Sequence, residues 1–130
     1  MKILAAVLLC TLLFACSTSR VMVGEKRQSI SSDQVKIYLR SPDCPYEEVA
    51  LLSASSRNSF AVGDQGKMNK AIARMKSEAA KLGANGVIVG GTGSETTGMI
   101  TQPGTPGYGV ALGHQTVSGA AIYVKPGCGK

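Results

Sequence analysis

The residues in this chain best suited to chemistry are its four cysteines, and their settings differ. Cys16 follows Ala15 at the end of an apolar run from Ile3 to Phe14, and Cys10 lies inside that run. Cys44 stands in the proline-flanked segment Ser41-Pro42-Asp43-Cys44-Pro45. Cys128 stands between glycines in Pro126-Gly127-Cys128-Gly129. A thiol after a small residue can receive a lipid chain when the small residue fits the subsite of the processing peptidase. Two thiols outside a reducing compartment can pair. The single histidine, His114, lies in a glycine-rich stretch with no acid or nucleophile beside it in sequence.

The first sixteen residues are the most informative. Lys2 is a short positive start, and Ile3 to Phe14 has the length of a signal-peptide apolar region. It is too short to cross a bilayer as a helix of ~20 residues. Leu13-Phe14-Ala15-Cys16 resembles the lipobox of bacterial lipoproteins, although Phe14 is less usual there than Ser or Ala. The resemblance implies removal of residues 1–15 as a lipoprotein signal peptide and acylation of Cys16 with a palmitate-type lipid anchor. Cys10 has too few apolar residues before it to compete. Ser17, where an Asp would mark inner-membrane retention, points to the outer membrane of a two-membraned host, facing the periplasm. In a single-membraned host the site would be the cell membrane. The other reading is an ordinary secretory signal with an incidental cysteine.

What remains is enough for one small domain. Fourteen Lys and Arg against eight Asp and Glu give the chain a net charge of +6, and loss of Lys2 leaves +5. The positive residues are dispersed, and aromatics are scarce at 5%. Secretion and that scarcity argue against nucleic acid as a partner. Cys44 and Cys128 form an even pair for an oxidising compartment. A bridge between them would contribute ~4–5 kcal/mol in the chain-entropy model if unstrained. Two free thiols or an intermolecular bridge are the alternatives. Cys44, Cys128 and His114 lack the ligand spacing of a zinc site, so no metal or cofactor is expected.

Residues 16–32 read as a lipidated N-terminus and polar tether, with Val21-Met22-Val23 able to pair as an edge strand. Residues 33–130 read as the folded domain. Val35, Ile37 and Leu39 alternate with Lys36 and Tyr38, the pattern of a half-buried strand. Tyr46 to Ser55 reads as a second strand. Met68, Ile72, Met75, Ala79 and Leu82 recur at steps of three and four, which predicts an amphipathic helix. Asp64 is its expected N-cap and Gly83 its stop. Val87 to Gly90 reads as a buried strand, residues 91–114 as a Gly-rich loop, and Gln115 to Lys125 as a last strand. The fold class is α+β. A sheet of about four strands carries one packed helix, in the order β-β-α-β-loop-β.

No catalytic constellation can be assembled, so no enzyme is expected. Gly90 to Gly98 lacks both the spacing and the following helix of a phosphate-binding loop. Ser55-Ser56 lacks the glycines of a hydrolase elbow. Glu47 and Glu48 are neighbours on a strand and point to opposite faces.

Two longer segments carry a family likeness. Cys44 to Ser55 and Arg74 to Val89 resemble small bacterial envelope lipoproteins. The stretch Ala79-Ala80-Lys81-Leu82-Gly83-Ala84-Asn85-Gly86-Val87 is similar to the helix-to-strand hairpin of the outer-membrane stress sensor of the Rcs phosphorelay. It also resembles the small heavy-metal-binding-domain family. With Ala120 to Val124 the likeness covers about half of the mature chain. It implies a compact α+β domain and, for the sensor, disulfide stabilisation and signalling through protein contacts. This chain offers only Cys44 and Cys128 where that sensor has two bridges, and it has no long proline-rich linker. The function expected is a non-enzymatic envelope lipoprotein that binds another envelope protein or senses envelope state. The alternative is a small-ligand or metal-binding module using Cys44, Cys128 and His114. The partner's identity and the oligomeric state are not legible in the sequence, and the membrane is contacted through the N-terminal lipid.

Overall fold

The computed structural model describes residues 18–57, 59, 62–101 and 109–127, with the backbone alone for 96–101 and 109–112. Five strands and one long helix follow in order: β1 (Thr18–Met22), β2 (Lys36–Tyr38), β3 (Tyr46–Ser55), α1 (Gly63–Lys81), β4 (Gly86–Thr101) and β5 (Gly109–Val124). A short 3-10 turn at Ser32–Gln34 precedes β2. The strands form one mixed sheet in the order β1-β3-β5-β4-β2. Only β2 against β4 is parallel. This is the expected α+β class, with β1 as a fifth strand.

The helix forms where the apolar stripe predicts it. Ala71, Met75, Ala79 and Ala80 are buried, with Met68 and Ile72 packed beside them against the sheet. Their counterparts are Leu52 and Ala54 of β3, Val117 and Ala121 of β5, and Val87 of β4. Burial of Met75 alone is worth roughly 2–3 kcal/mol. The N-cap is Val62, not Asp64, and it makes no side-chain cap bond. Asp64 lies in the first turn, where its charge favours the helix dipole, and accepts a hydrogen bond from Gln115 Nε2 at 3.4 Å.

At the other end Gly83 adopts φ +72°, as the stop signal predicts. Its N–H donates to Ala80 O, and Ala84 N–H donates to Ala79 O, which is the Schellman arrangement. Asn85 then ties two strands together. Its backbone carbonyl accepts from Lys36 N, while its side chain donates to Val124 O at 2.9 Å and accepts from Val124 N at 2.7 Å.

The expected tether, residues 16–32, is from Thr18 onward part of the fold. β1 pairs with β3 along its whole length. Arg27 N–H donates to Leu82 O and Ile30 N–H to Ala80 O, satisfying carbonyls that the helix end leaves open. The Arg27 guanidinium stacks 4.0 Å over the Tyr123 ring and pairs with Glu47. Polar composition conceals this docking, which uses backbone groups and one arginine rather than an apolar stripe.

The Gly-rich segment is also different from the expected loop. Its described residues continue β4 to Thr101 and begin β5 at Gly109, paired from Thr92↔Val117 out to Thr101↔Gly109. Register shifts between Val89 and Gly91 and between Thr96 and Gly98 accommodate the irregular spacing. None of Gly91, Gly93 or Gly113 has a positive φ, so they are extended like any strand residue.

Gly83→Ala is expected to cost about 2 kcal/mol or more, because φ +72° disfavours a side chain and the new Cβ would meet the backbone of Gln28. Asn85→Ala should cost a similar ~2 kcal/mol by leaving both polar groups of Val124 unpaired. Urea unfolding of each variant checks both values.

Candidate functional site

Helix α1 covers one face of the sheet. The middle of the other is open at Leu51, Ser53 and Ser118, although His114 and Ile122 at its ends are buried. Cross-strand partners share a face, so the register reads that second face row by row. Val21, Leu51, Ala120, Ile88 and Tyr38 form one continuous row across all five strands. Val21 is 62% exposed and Leu51 49%. Next comes Ser19, Ser53, Ser118 and Gly91, then Ser55, Thr116 and Gly93. The next row is His114 opposite Glu95. The face therefore grades from apolar, through small and hydroxylated, to an ionisable pair.

Two hollows mark its ends. The apolar one, about 440 Å³, is lined by Tyr46, Leu51, Ile88 and Ala120 among others. The polar one, about 200 Å³, is lined by Thr18, Ser19, Ser55, Arg57, Glu95 and His114 among others. Several hydrogen bonds fix the backbone at this polar end. Arg74 of α1 donates to Ser55 O at 2.7 Å and Arg57 O at 2.5 Å. Buried Ser56 accepts from Gln115 N through its hydroxyl, and its own N–H donates to Gln115 O. Held there, the Arg57 guanidinium lies 3.9 Å from Glu95.

His114 is 5% exposed. Its Nε2 lies 3.0 Å from Glu95 Oε2, the geometry of an N–H donating to a carboxylate. Its buried Nδ1 has no hydrogen-bond partner. In a nucleophilic relay the nitrogen away from the carboxylate would bond a hydroxyl. Ser53, Ser55 and Thr116 lie nearby, yet none of these described hydroxyls bonds Nδ1. The pair is not legible in the sequence, because its members are nineteen residues apart and only the antiparallel register joins them.

Of the three residues of the metal alternative, Cys44 and His114 are described, and they lie at opposite ends of β3. Cys44 precedes Tyr46 at one end of β3, whereas His114 lies beyond Ser55 at the other. At ~3.3 Å per residue a ten-residue strand separates them by roughly 30 Å. No group of three or more His, Cys, Asp or Glu among the described residues could hold a metal ion. The expected partner of Cys44, Cys128, lies outside the described residues, as do Cys10 and Cys16. Near Cys44, Tyr46 pairs with Val124, and Lys125 N–H donates to Pro45 O at 3.3 Å.

With this geometry established, the fold is similar to that of a Francisella virulence factor, FvfA, known from a crystal structure. The match has a TM-score of 0.50 at 13% identity, covering 79% of this chain and 94% of that one. Such a likeness concerns the fold alone. No protein-family model and no curated protein matches the chain. Among the described residues no helix is long and apolar enough to cross a membrane.

His114→Leu is expected to change stability by less than about 1 kcal/mol, since it removes a buried unpartnered nitrogen and a bond to the largely exposed Glu95. Arg74→Ala should instead cost roughly 2 kcal/mol by releasing two carbonyls at and beyond the end of β3. Thermal and urea melts of the two variants separate these outcomes.

Proposed function

We propose that this chain is a non-enzymatic envelope lipoprotein, anchored through Cys16 and acting by contact with another envelope protein. The observation that carries the reading is the open sheet face, with its apolar row Val21-Leu51-Ala120-Ile88-Tyr38 and no covering element among the described residues. Val21 and Leu51 are exposed and Ala120, Ile88 and Tyr38 half-buried, and such a continuous apolar row favours a protein partner over solvent. The N-terminal sequence supports the anchor, and outer-membrane residence follows from Ser17 by the lipoprotein sorting resemblance. Kinship with the Rcs stress sensor or the heavy-metal-binding-like family belongs to this proposal as well. The close approach of Lys125 to Pro45 supports a Cys44–Cys128 bridge that fastens the last residues to the start of β3.

A photo-crosslinking residue at Leu51 in cells is expected to trap an envelope protein, whereas one at the exposed Asn69 of α1 traps none. Equal trapping at both positions, or none at Leu51, would refute the face. Cys44→Ser and Cys128→Ser should each destabilise by about the same amount, on the order of 4 kcal/mol, and the double variant should be no worse than either. Clearly additive losses would exclude the bridge.

A further inference from the structure

The long β4–β5 hairpin leaves the sheet as an arm. β3 covers β5 only from Thr116 to Val124, and β2 covers β4 only from Gly86 to Ile88. Ser56 still bonds Gln115, and beyond Glu95 and His114 the two strands pair with each other alone among the described residues, out to Thr101↔Gly109. From Glu95 to Thr101 that is roughly 20 Å at ~3.3 Å per residue.

Two independent features of this arm point to one environment. The first is charge. Between Glu95 and Lys125 the sequence contains no Asp, Glu, Lys or Arg, in a chain that is 17% charged. Exposed strand edges are ordinarily protected by charged residues, and these are not. The second is position. Thr18 pairs with Ala54, Ala54 with Val117 and Val117 with Thr92, so the chain enters β1 at the end of the sheet from which the arm departs. Cys16 is two residues before Thr18, within ~7 Å of extended chain. An anchor so close, with β1 already part of the sheet, leaves no tether to lift the domain away from the leaflet.

We propose that the arm formed by 96–101 and 109–113 lies in the headgroup layer of the leaflet that holds the Cys16 lipid. This rests on the lipoprotein reading above. A hairpin without charges beyond its root enters that layer without desolvating an ion. Its two free backbone edges exclude the hydrocarbon centre, where unpaired amide and carbonyl groups find no partner, so the arm rests at the interface. Glu95 and His114, the first ionisable residues at its root, mark where the aqueous side begins. Arg57, half exposed beside Glu95, faces the anionic headgroups there.

The chain contains no tryptophan, so a single one reports its own surroundings. The full lipidated protein carrying Ile100→Trp, reconstituted in vesicles of phosphatidylethanolamine and phosphatidylglycerol, should emit at shorter wavelength. It should lose roughly half its emission to lipids brominated near the headgroup and much less to lipids brominated at the chain end. Val23→Trp, at the far end of β1, should be quenched by aqueous acrylamide and not by either lipid. Adding Val110→Glu to Ile100→Trp should abolish the lipid quenching while the protein stays on the vesicles. If the Ile100→Trp and Val23→Trp proteins behave alike, in material whose mass includes the Cys16 lipid, the arm proposal is overturned and the lipoprotein reading stands. Arm-to-arm crosslinks between copies without lipid quenching overturn it in favour of self-association. Absence of lipid on Cys16 overturns the underlying reading, and this inference with it.

Discussion

The carbonyls at the C-terminal end of α1 need donors, and much of this structure is arranged to supply them. Gly83 and Ala84 satisfy Ala80 and Ala79 by turning the chain back on itself. Arg27 and Ile30, far away in sequence, donate to Leu82 and Ala80. That second pair fixes the N-terminal segment across the helix end, with Gly24 so close to Glu48 that an added Cβ would overlap its carbonyl oxygen. Helix end, N-terminal segment and the start of β4 therefore form one hydrogen-bonded junction. The Arg27 guanidinium seals it by lying on Tyr123 of the central strand.

This junction gives the sheet its two unequal ends. At the junction end, Asn85 and the β3–β5 pairing gather Pro45, Val124 and Lys125, close to the cysteine at position 44. At the opposite end β1 begins, Arg74 holds the turn after β3, and the β4–β5 arm departs. In the proposed function these ends have different tasks. One is fastened covalently, and the other meets the membrane. The open face between them runs from the apolar row at Leu51 to the histidine–carboxylate pair, and it is available to a partner at a fixed height above the leaflet.

Legibility in the sequence follows the kind of force involved. The α1 stripe from Met68 to Leu82 and the stop at Gly83 are readable because apolar periodicity and a left-handed cap are local signals. The β3 strand is readable for the same reason. The arm is hidden because Gly, Thr and Ser carry little apolar alternation, and its strands are held by a backbone ladder between residues that composition assigns to a loop. The docking of Arg27 and Ile30 is hidden because its hydrogen bonds use main-chain groups that almost every residue has. The His114–Glu95 pair depends on register, which two bulges shift and no local pattern encodes. Asp64 illustrates the opposite error, since a good capping residue falls two positions past the N-cap and bonds Gln115 instead.

Integration of the N-terminal segment into the domain is what would couple a membrane anchor rigidly to the sheet. Amide hydrogen exchange of the native protein probes it at Arg27 and Ile30, whose N–H groups are committed to Leu82 and Ala80. Both should exchange as slowly as Val124 of the central strand, through the same global opening. Exchange at the rate of a free peptide for both, with Val124 still protected, would make residues 18–30 a tether and remove the coupling.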